Sequence, residues 1–264
     1  MSRAGSLPGQ ATLGQTTLKT VWGRWLGQGA LPSTRFVLFG APRCGKSVLL
    51  ELLQSCEALT CDRNLLSHRS FFPLWHIHHH ALRAQADLYG FQLSSQDLLT
   101  SQGLGEPGRF LQVLHDQGYR IIHLHRQDMM RHAIALLKAQ QPIDVHTLKR
   151  QPIEVCPTAL VQQLTQLEQQ RLEETAMLTE VSHLRITYET DLLDPNRHAH
   201  TVGQLNDFLG THWQPQNQTT LRPNIRLVHQ KISDLIINYD EVRQAVEQSD
   251  YAYVLSAQSM QLAI

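Results

Sequence analysis

Apolar residues in this chain fall into short uninterrupted runs that are separated by stretches of helical periodicity. The run RFVLFG (35–40) predicts a strand that is buried on both faces, and YRIIHL (119–124) predicts a second buried strand. HLRITY (183–188) predicts a third strand. Strands that alternate with helices predict an α/β fold, with a parallel sheet flanked by helices in three layers. Helical periodicity covers residues 46–54, 129–139, 157–180, 200–209 and 230–253, the last with a break near Asn238.

Two parts of the chain carry weaker signals. Residues 1–34 are rich in Gly, Ser, Thr and Gln, and we expect a weakly ordered N-terminal extension with one short amphipathic helix at 18–26. The segment 61–109 has scattered turns and many histidines. We therefore expect a single α/β domain over residues 35–264.

Composition and charge exclude some classes of protein. The 264 residues suffice for one large α/β domain or two small ones, and 23 basic residues balance 23 acidic ones. This balance argues against general nucleic-acid binding but allows a local basic pocket. No apolar run reaches the roughly 18 residues of a membrane span, and the N-terminus lacks a secretory apolar core. We expect a cytoplasmic protein without a membrane span.

Cysteine and histidine usage points to neither disulfides nor a metal. Four cysteines lack any C-x-x-C pair, and we expect reduced thiols. Consecutive histidines at 76 and 78–80 cannot all face one ion, so we interpret them as a solvated or partner-facing run. The cysteines are Cys44, Cys56, Cys61 and Cys156.

The sequence GAPRCGKS (40–47) fits G-x-x-x-x-G-K-S between a predicted strand and a predicted helix. Backbone N–H groups of such a loop, at the start of a helix, bind phosphate oxygens. Arg43 and Lys46 would add positive charge there. The alternative is a tight turn that uses Gly45 for its geometry alone. The flanking strand and helix favour a phosphate site.

An ATP- or GTP-hydrolysing loop of this kind also needs an apolar strand that ends in an aspartate, which organises Mg²⁺. The strand YRIIHLH ends instead in Arg126, and Asp128 follows at the predicted start of a helix. A basic residue at this position fits a second phosphate better than a metal. The kinase or NTPase hypothesis is weakened accordingly.

The segment HRQDMMRHAIALLKA (125–139) resembles the 3′-phosphate-binding element of sulfotransferases that use 3′-phosphoadenosine-5′-phosphosulfate (PAPS). It is most similar to the bacterial branch with nodulation and trehalose sulfotransferases, where this element reads like R-x-D-x-x-R-Q-A-V-S. APRCGKS similarly resembles the P-R-S-G-[ST]-[ST] loop of that branch. Further similarities are YGF (89–91), ITYETDLLDP (186–195), LNDFLG (205–210) and IINYDEV (236–242).

This resemblance covers residues 35–254 and implies a P-loop-like, sulfotransferase-like fold. It implies transfer of a sulfuryl group from PAPS to a hydroxyl or amine of a small-molecule, glycan or lipid acceptor. Arg43 and Lys46 would stabilise the reacting group, Arg126 would bind the 3′-phosphate with help from Arg131, and no metal would be needed. The implied residues of the PAPS site are Arg43, Cys44, Gly45, Lys46, Ser47, Arg126 and Arg131.

Three departures from the family pattern concern the site. Cys44 and Lys46 stand where the loop usually has small hydroxyl residues. Ala135, or Ile134 in the other register, stands where a 3′-phosphate serine is expected. Asn64 replaces a catalytic glutamate and cannot serve as a general base.

The missing glutamate leaves the base and the activity open. Asp62 and His68 are the nearest substitutes in sequence, although a surface or capping role is an alternative for each. Glu189 is a weaker candidate for catalysis, since capping or pairing is the simpler interpretation, with Tyr188 packing beside it. The alternatives to a sulfotransferase are a nucleotide-binding protein of the same fold without catalysis, and a P-loop kinase or NTPase.

Overall fold

A computed structural model describes residues 30–54, 59–141, 152–213 and 231–255 of the chain. Its centre is a sheet of five parallel strands in the order β2-β3-β1-β4-β5. The strands are β1 (Thr34–Phe39), β2 (Leu59–Asp62), β3 (Leu88–Leu93), β4 (Tyr119–His125) and β5 (His183–Thr187). The helices are α1 (Lys46–Gln54), α2 (Pro73–Arg83), α3 (Pro107–Asp116), α4 (Met129–Gln140), α5 (Pro157–Leu178), α6 (His198–Leu209) and α7 (Tyr239–Glu247).

Strand β1 is the central strand, and its side chains alternate between two cores. Phe36 and Leu38 face one core, while Val37 and Phe39 face the other, and all four are fully buried. A strand buried on both faces has no polar positions, which explains the uninterrupted apolar run in the sequence.

Helices cover both faces of the sheet. Helices α1 and α6 pack on one face, and α2, α3 and α5 pack on the other. A third apolar cluster joins α4, α5 and α7 beside the sheet. The prediction of an α/β fold with a parallel sheet between helical layers is confirmed. No described helix is long and apolar enough to cross a membrane.

The predicted strands at 35–40, 119–124 and 183–188 are confirmed as β1, β4 and β5, and the predicted helices correspond to α1, α4, α5 and α6 within a few residues. The segment 61–109 is more regular than its sequence suggested, because it contains α2, β3 and a π-helical turn at Asp97–Ser101. The predicted helix at 18–26 and Cys56 lie outside the described residues.

The C-terminal region is less helical than predicted. It contains a 3₁₀ turn at Ile232–Asp234 and then α7, with the predicted break at Asn238. The Asn238 side chain accepts a hydrogen bond from the Val155 amide (3.0 Å) and donates one to the Val155 carbonyl (2.9 Å). These bonds fix a turn before α7, and this stops one helix from running through the region.

Gly90 in β3 offers a test of the packing between strands. A Cβ at this position would lie 2.3 Å from the Phe36 ring, whereas a Cβ at Gly203 in α6 would meet nothing within 4 Å. We expect Gly90→Ala to lower the free energy of unfolding by about 1–3 kcal/mol through overpacking. Gly203→Ala should raise it by about 0.5–1 kcal/mol through helix propensity. Urea denaturation measures both, and equal effects of the two substitutions would contradict this account of β3.

Candidate functional site

The candidate site lies at the carboxyl edge of the sheet, between β1 and β3. These strands are neighbours, yet the helices that follow them, α1 and α3, pack on opposite faces. The loops that leave the two strands therefore diverge and open a crevice. In open α/β sheets, such a switch point is where ligands bind.

The loop from Gly40 to Ser47 has a backbone that only particular residues allow. Gly40 has φ +155°, and a Cβ there would lie 2.4 Å from the Leu124 carbonyl oxygen. Gly45 has φ +110°, and a Cβ there would lie 2.3 Å from the Tyr188 ring. Arg43, which is not a glycine, has φ +61°, a conformation that costs about 1–2 kcal/mol. Gly45 is therefore required by close packing, and Arg43 is held in a strained conformation at an exposed position.

Several amides of the loop are available to a ligand. Within the part of the chain that the structure describes, the N–H groups of Arg43, Gly45 and Ser47 have no hydrogen-bond acceptor. They precede or begin α1, so the positive end of the helix dipole adds to their partial charges. An anion bound here would satisfy them.

Lys46 joins the ends of the two strands that form the crevice. Its Nζ donates hydrogen bonds to the carbonyl of Gly40 (2.7 Å) and to that of Leu93 (3.4 Å). An ammonium group has three donors, so one remains for another acceptor. The Lys46 ammonium group thus lies at the loop, and it also contacts the end of β3.

Cys44 lies underneath the loop, in the core that α1 shares with the sheet. Burial raises the pKa of its thiol to about 11, so the thiol is neutral at physiological pH. Of the cysteines described, Cys44, Cys61 and Cys156 are free thiols.

Arg126, at the end of β4, touches the loop directly. Its Nη1 donates to the Arg43 carbonyl (3.1 Å), and its guanidinium stacks on the Tyr188 ring with 5.0 Å between the guanidinium carbon and the ring centroid. Its Nε is buried, without a hydrogen-bond partner, 3.8 Å from Glu189 Oε1. The sequence predicts two basic elements, the loop 40–47 and the end of β4, and the fold brings them into contact.

Glu189 and Arg171 fix the junction between β4 and α4. The Glu189 carboxylate accepts from the amides of Gln127 (2.7 Å) and Asp128 (3.1 Å). From the other side, Arg171 on α5 donates to the carbonyls of Arg126 and Gln127. The interpretation of Glu189 as a capping and pairing residue is confirmed, and so is the packing of Tyr188.

Arg131 and Asp128 form an ion pair at the first turn of α4. Asp128 caps the helix, because its Oδ1 accepts from the Arg131 amide (2.8 Å), and its Oδ2 lies 3.0 Å from Arg131 Nε. The carboxylate is thus engaged by its own helix. Among the described residues, no three potential metal ligands come together as a cluster.

His132 links α4 to the loop. Its Nε2 donates to the Pro42 carbonyl (2.7 Å), and burial lowers the pKa of the imidazole to about 3, so the ring is neutral. Its other nitrogen, Nδ1, is buried without a partner. Together with Arg126, His132 ties the loop to the end of β4 and the start of α4.

A buried carboxylate lies between α5 and the ends of β3 and β4. Glu174 on α5 is 3% exposed, and its carboxylate is 3.3 Å from His123 Nε2 and accepts a bond from the Ser95 hydroxyl (3.4 Å). Ser95 follows the end of β3 and also accepts from Gln170 (3.1 Å). Burial is the main cause of the raised pKa of Cys44, and the negative charge of Glu174 adds to it.

The two substitutes considered for the missing base lie farther along the sheet. Asp62 ends the edge strand β2, and its Oδ2 accepts from the Tyr89 hydroxyl (2.8 Å) and contacts His80 Nδ1 (3.0 Å). Burial, followed by this bond to Asp62, raises the pKa of Tyr89. His68 is exposed and contacts Ser67 Oγ (3.3 Å). Neither Asp62 nor His68 contacts the phosphate loop among the described residues.

Arg171, Glu174 and His132 were missed by reasoning from the sequence. A signal for the first two exists, since both continue the apolar stripe of α5 at spacings of three and four residues. A charged residue on a core-facing stripe indicates a buried polar contact. The stripe consists of Leu160, Leu164, Leu167, Arg171, Glu174 and Leu178.

Comparisons with known proteins found no family model and no curated protein that matches this chain. The site is therefore interpreted from its own geometry and from the sequence resemblance described above.

The depressed pKa of His132 predicts how acid affects stability. In the unfolded chain an imidazole titrates near 6.5, and in the folded chain His132 titrates at about 3. Between these values the unfolded state binds one more proton, so stability is retained above pH 6.5 and falls as the pH drops below it. We expect His132 to account for about 1 kcal/mol of the stability lost between pH 7.5 and 5.5.

Urea unfolding at both pH values tests this. His132→Gln should show a pH dependence weaker by that amount, even if the variant is less stable at both values. His200→Gln, which changes an exposed histidine on α6, is the control and should keep the full pH dependence. An unchanged pH dependence in His132→Gln would contradict the assignment.

Proposed function

We propose that this chain is a sulfotransferase that transfers a sulfuryl group from PAPS to a hydroxyl or amine of an acceptor, most simply a carbohydrate or glycolipid. One observation carries the proposal: the Arg126 guanidinium donates to the carbonyl of Arg43 in the phosphate loop, at 3.1 Å. Two cationic phosphate-binding elements in contact suit a nucleotide that is phosphorylated at both its 5′ and 3′ positions. A nucleotide that carries only one polyphosphate chain would not need a second cationic element.

In this proposal the loop binds the 5′-phosphosulfate. The free amides of Arg43, Gly45 and Ser47, the third donor of Lys46 and the Ser47 hydroxyl would surround the phosphate and sulfate oxygens. Arg43 is exposed, and the described residues provide no carboxylate that pairs with it. Its full charge is thus available to the reacting group.

Arg126 would bind the 3′-phosphate, with Arg131 beside it. Both are partly neutralised, Arg126 by Glu189 at 3.8 Å and Arg131 by Asp128 at 3.0 Å. The buried Nε of Arg126 has no hydrogen-bond partner, and a phosphate oxygen could supply one. A dianionic phosphate competes well with a carboxylate at 3.8 Å, since that distance is longer than a hydrogen bond.

The chemical step requires no redox partner. The acceptor oxygen or nitrogen forms a bond to sulfur, the bond from sulfur to the 5′-phosphate oxygen breaks, and 3′,5′-adenosine bisphosphate leaves. Negative charge grows on the 5′-phosphate, where Arg43 and Lys46 would stabilise it. The arginines and the lysine supply the countercharge that Mg²⁺ supplies in a kinase.

The acceptor must also lose a proton. Asp62 is occupied by Tyr89 and His80, while Glu174 is buried and paired with His123. In this proposal the proton therefore passes to water, and no described side chain takes the role of the absent glutamate at Asn64.

A binding protein without catalysis is the second candidate. The observation that favours it is the burial of Glu174, Ser95 and His123, all of which are 6% exposed or less. An acceptor reaches such a group only after a local rearrangement. Asn64 is exposed and its side chain has no acidic group, so it adds no base.

Ligand binding tests the proposal. Isothermal calorimetry with 3′,5′-adenosine bisphosphate, in buffer without Mg²⁺, should show a Kd on the order of micromolar. Tighter binding of Mg·ATP than of the bisphosphate would refute it and favour a kinase or NTPase. Micromolar binding without any sulfuryl transfer to a broad panel of glycans and lipids would favour the non-catalytic candidate.

Arg126→Ala tests the 3′-phosphate site. We expect the Kd for 3′,5′-adenosine bisphosphate to rise at least about tenfold, because a charge-assisted contact is lost, and the Kd for AMP to change less than about threefold. AMP serves as the internal control for the loop, which Arg126 also contacts. Arg109→Ala, an exposed arginine on α3, is the matched variant and should change neither value. Equal losses for the two nucleotides would remove the assignment.

A further inference from the structure

Three aromatic side chains protrude from one corner of the molecule. Phe71 is 93% exposed and Phe72 is 73% exposed, at the end of the loop between β2 and α2. Trp75, one turn into α2, is 42% exposed and stacks on His79 with 5.2 Å between ring centroids. We call Phe71, Phe72 and Trp75 the aromatic wedge. Large apolar groups this exposed and this close together mark a surface that contacts something else.

The chain around the aromatic wedge is cationic. Arg63 and Arg69 are exposed on the same loop, as is His68, and Arg83 is exposed at the end of α2. The sequence from 63 to 86 contains no aspartate or glutamate. Asp62, just before it, is engaged by His80 and Tyr89. Within the described part of the chain, Arg63, Arg69 and Arg83 form no ion pair, so the wedge is flanked along the chain by positive charge.

The loop that carries the wedge is held in place. Gln102, which is buried, accepts from the Ser70 amide (3.0 Å) and donates to the carbonyls of Leu66 (2.8 Å) and His68 (2.6 Å). Leu66 anchors the loop in the core. Phe71 and Phe72 therefore follow a segment that is fixed by these bonds.

We propose that the aromatic wedge docks this protein onto an anionic lipid surface. Phenylalanine and tryptophan side chains partition into the layer between headgroups and acyl chains, and nearby arginines bind anionic headgroups. A protein partner would require a pocket shaped for each protruding ring. A lipid layer deforms around the rings and supplies the negative charge that the cationic loop lacks.

Docking in this way would bring the candidate site to the lipid. The loop 63–72 leaves the carboxyl end of β2, and in a parallel sheet this is the same edge from which the phosphate loop leaves β1. β2 lies two strands from β1, or roughly 10 Å across the sheet. Resting on the proposed function, the acceptor is then a hydroxyl carried by a membrane lipid, such as a glycolipid headgroup.

Vesicle co-sedimentation with the full chain, without nucleotide, tests the docking alone. We expect binding to vesicles of phosphatidylcholine with roughly a third phosphatidylserine, weaker binding to phosphatidylcholine alone, and a decrease as salt rises from about 0.1 to 0.5 M. Phe71→Ser combined with Phe72→Ser should lower the partition coefficient at least about tenfold. Both side chains are exposed, so the fold should be unaffected.

Two further variants test whether the change in vesicle binding is specific to the aromatic wedge and to the arginines beside it. Leu172→Ser removes a side chain that is 63% exposed on α5, and it should leave vesicle binding unchanged. Arg63→Gln with Arg69→Gln should reduce the preference for phosphatidylserine while leaving the weak binding to phosphatidylcholine.

Absence of vesicle binding by the natural chain would overturn the proposal, as would binding that the two Phe substitutions do not change. Self-association in sedimentation velocity that these substitutions abolish, without vesicle binding, would also overturn it and assign the wedge to a second copy of the chain. These measurements are made without nucleotide. Their outcome is therefore independent of the calorimetry that tests the proposed sulfotransferase function.

Discussion

The guanidinium of Arg126 connects three strand ends, and the geometry of the candidate site depends on that connection. It bonds to the loop after β1 through the Arg43 carbonyl, it belongs to the end of β4, and it stacks on Tyr188, which follows β5. Tyr188 in turn packs against Gly45, and Glu189 both faces Arg126 and caps the start of α4. One cation thus holds together elements that a sheet alone would leave free to diverge.

Charge at the site is balanced locally. Glu189 and Asp128 face Arg126 and Arg131, so these arginines are positioned before any ligand arrives, and preorganised groups need no rearrangement when charge appears. Arg43 lies at the strained position of the loop. The site therefore combines two arginines that are positioned by carboxylates, Arg126 and Arg131, with one exposed arginine in a strained backbone conformation, Arg43.

Reasoning from the sequence identified the elements that have a continuous local pattern of residues. It missed the elements and side chains whose contacts are made with distant parts of the chain. β1 and β4 were found because strands buried on both faces are apolar over most of their length. β5 was found from its apolar and β-branched residues, although it is an edge strand in which only Ile186 is buried. β3 was missed because Gly90 and Gln92 interrupt its pattern, and the glycine is needed to fit the Phe36 ring. The loop 40–47 and Arg126 were singled out from short motifs, and the fold brings them into contact. Arg171 and Glu174 lie on the apolar stripe of α5, which indicates buried polar contacts, but no local pattern identifies their partners Arg126 and His123, 45 and 51 residues away.

The hydrogen bonds of Lys46 affect which anions the proposed site would bind. Because Nζ is already bonded to the carbonyls of Gly40 and Leu93, an anion that draws the ammonium fully to itself must replace those two bonds. Binding is then an exchange of partners, and its net gain is smaller than the strength of the new contact. Weak monovalent anions gain little from such an exchange, whereas a ligand with several charged oxygens gains more. At the proposed site, these two carbonyls would therefore favour a ligand with several charged oxygens over a small monovalent anion.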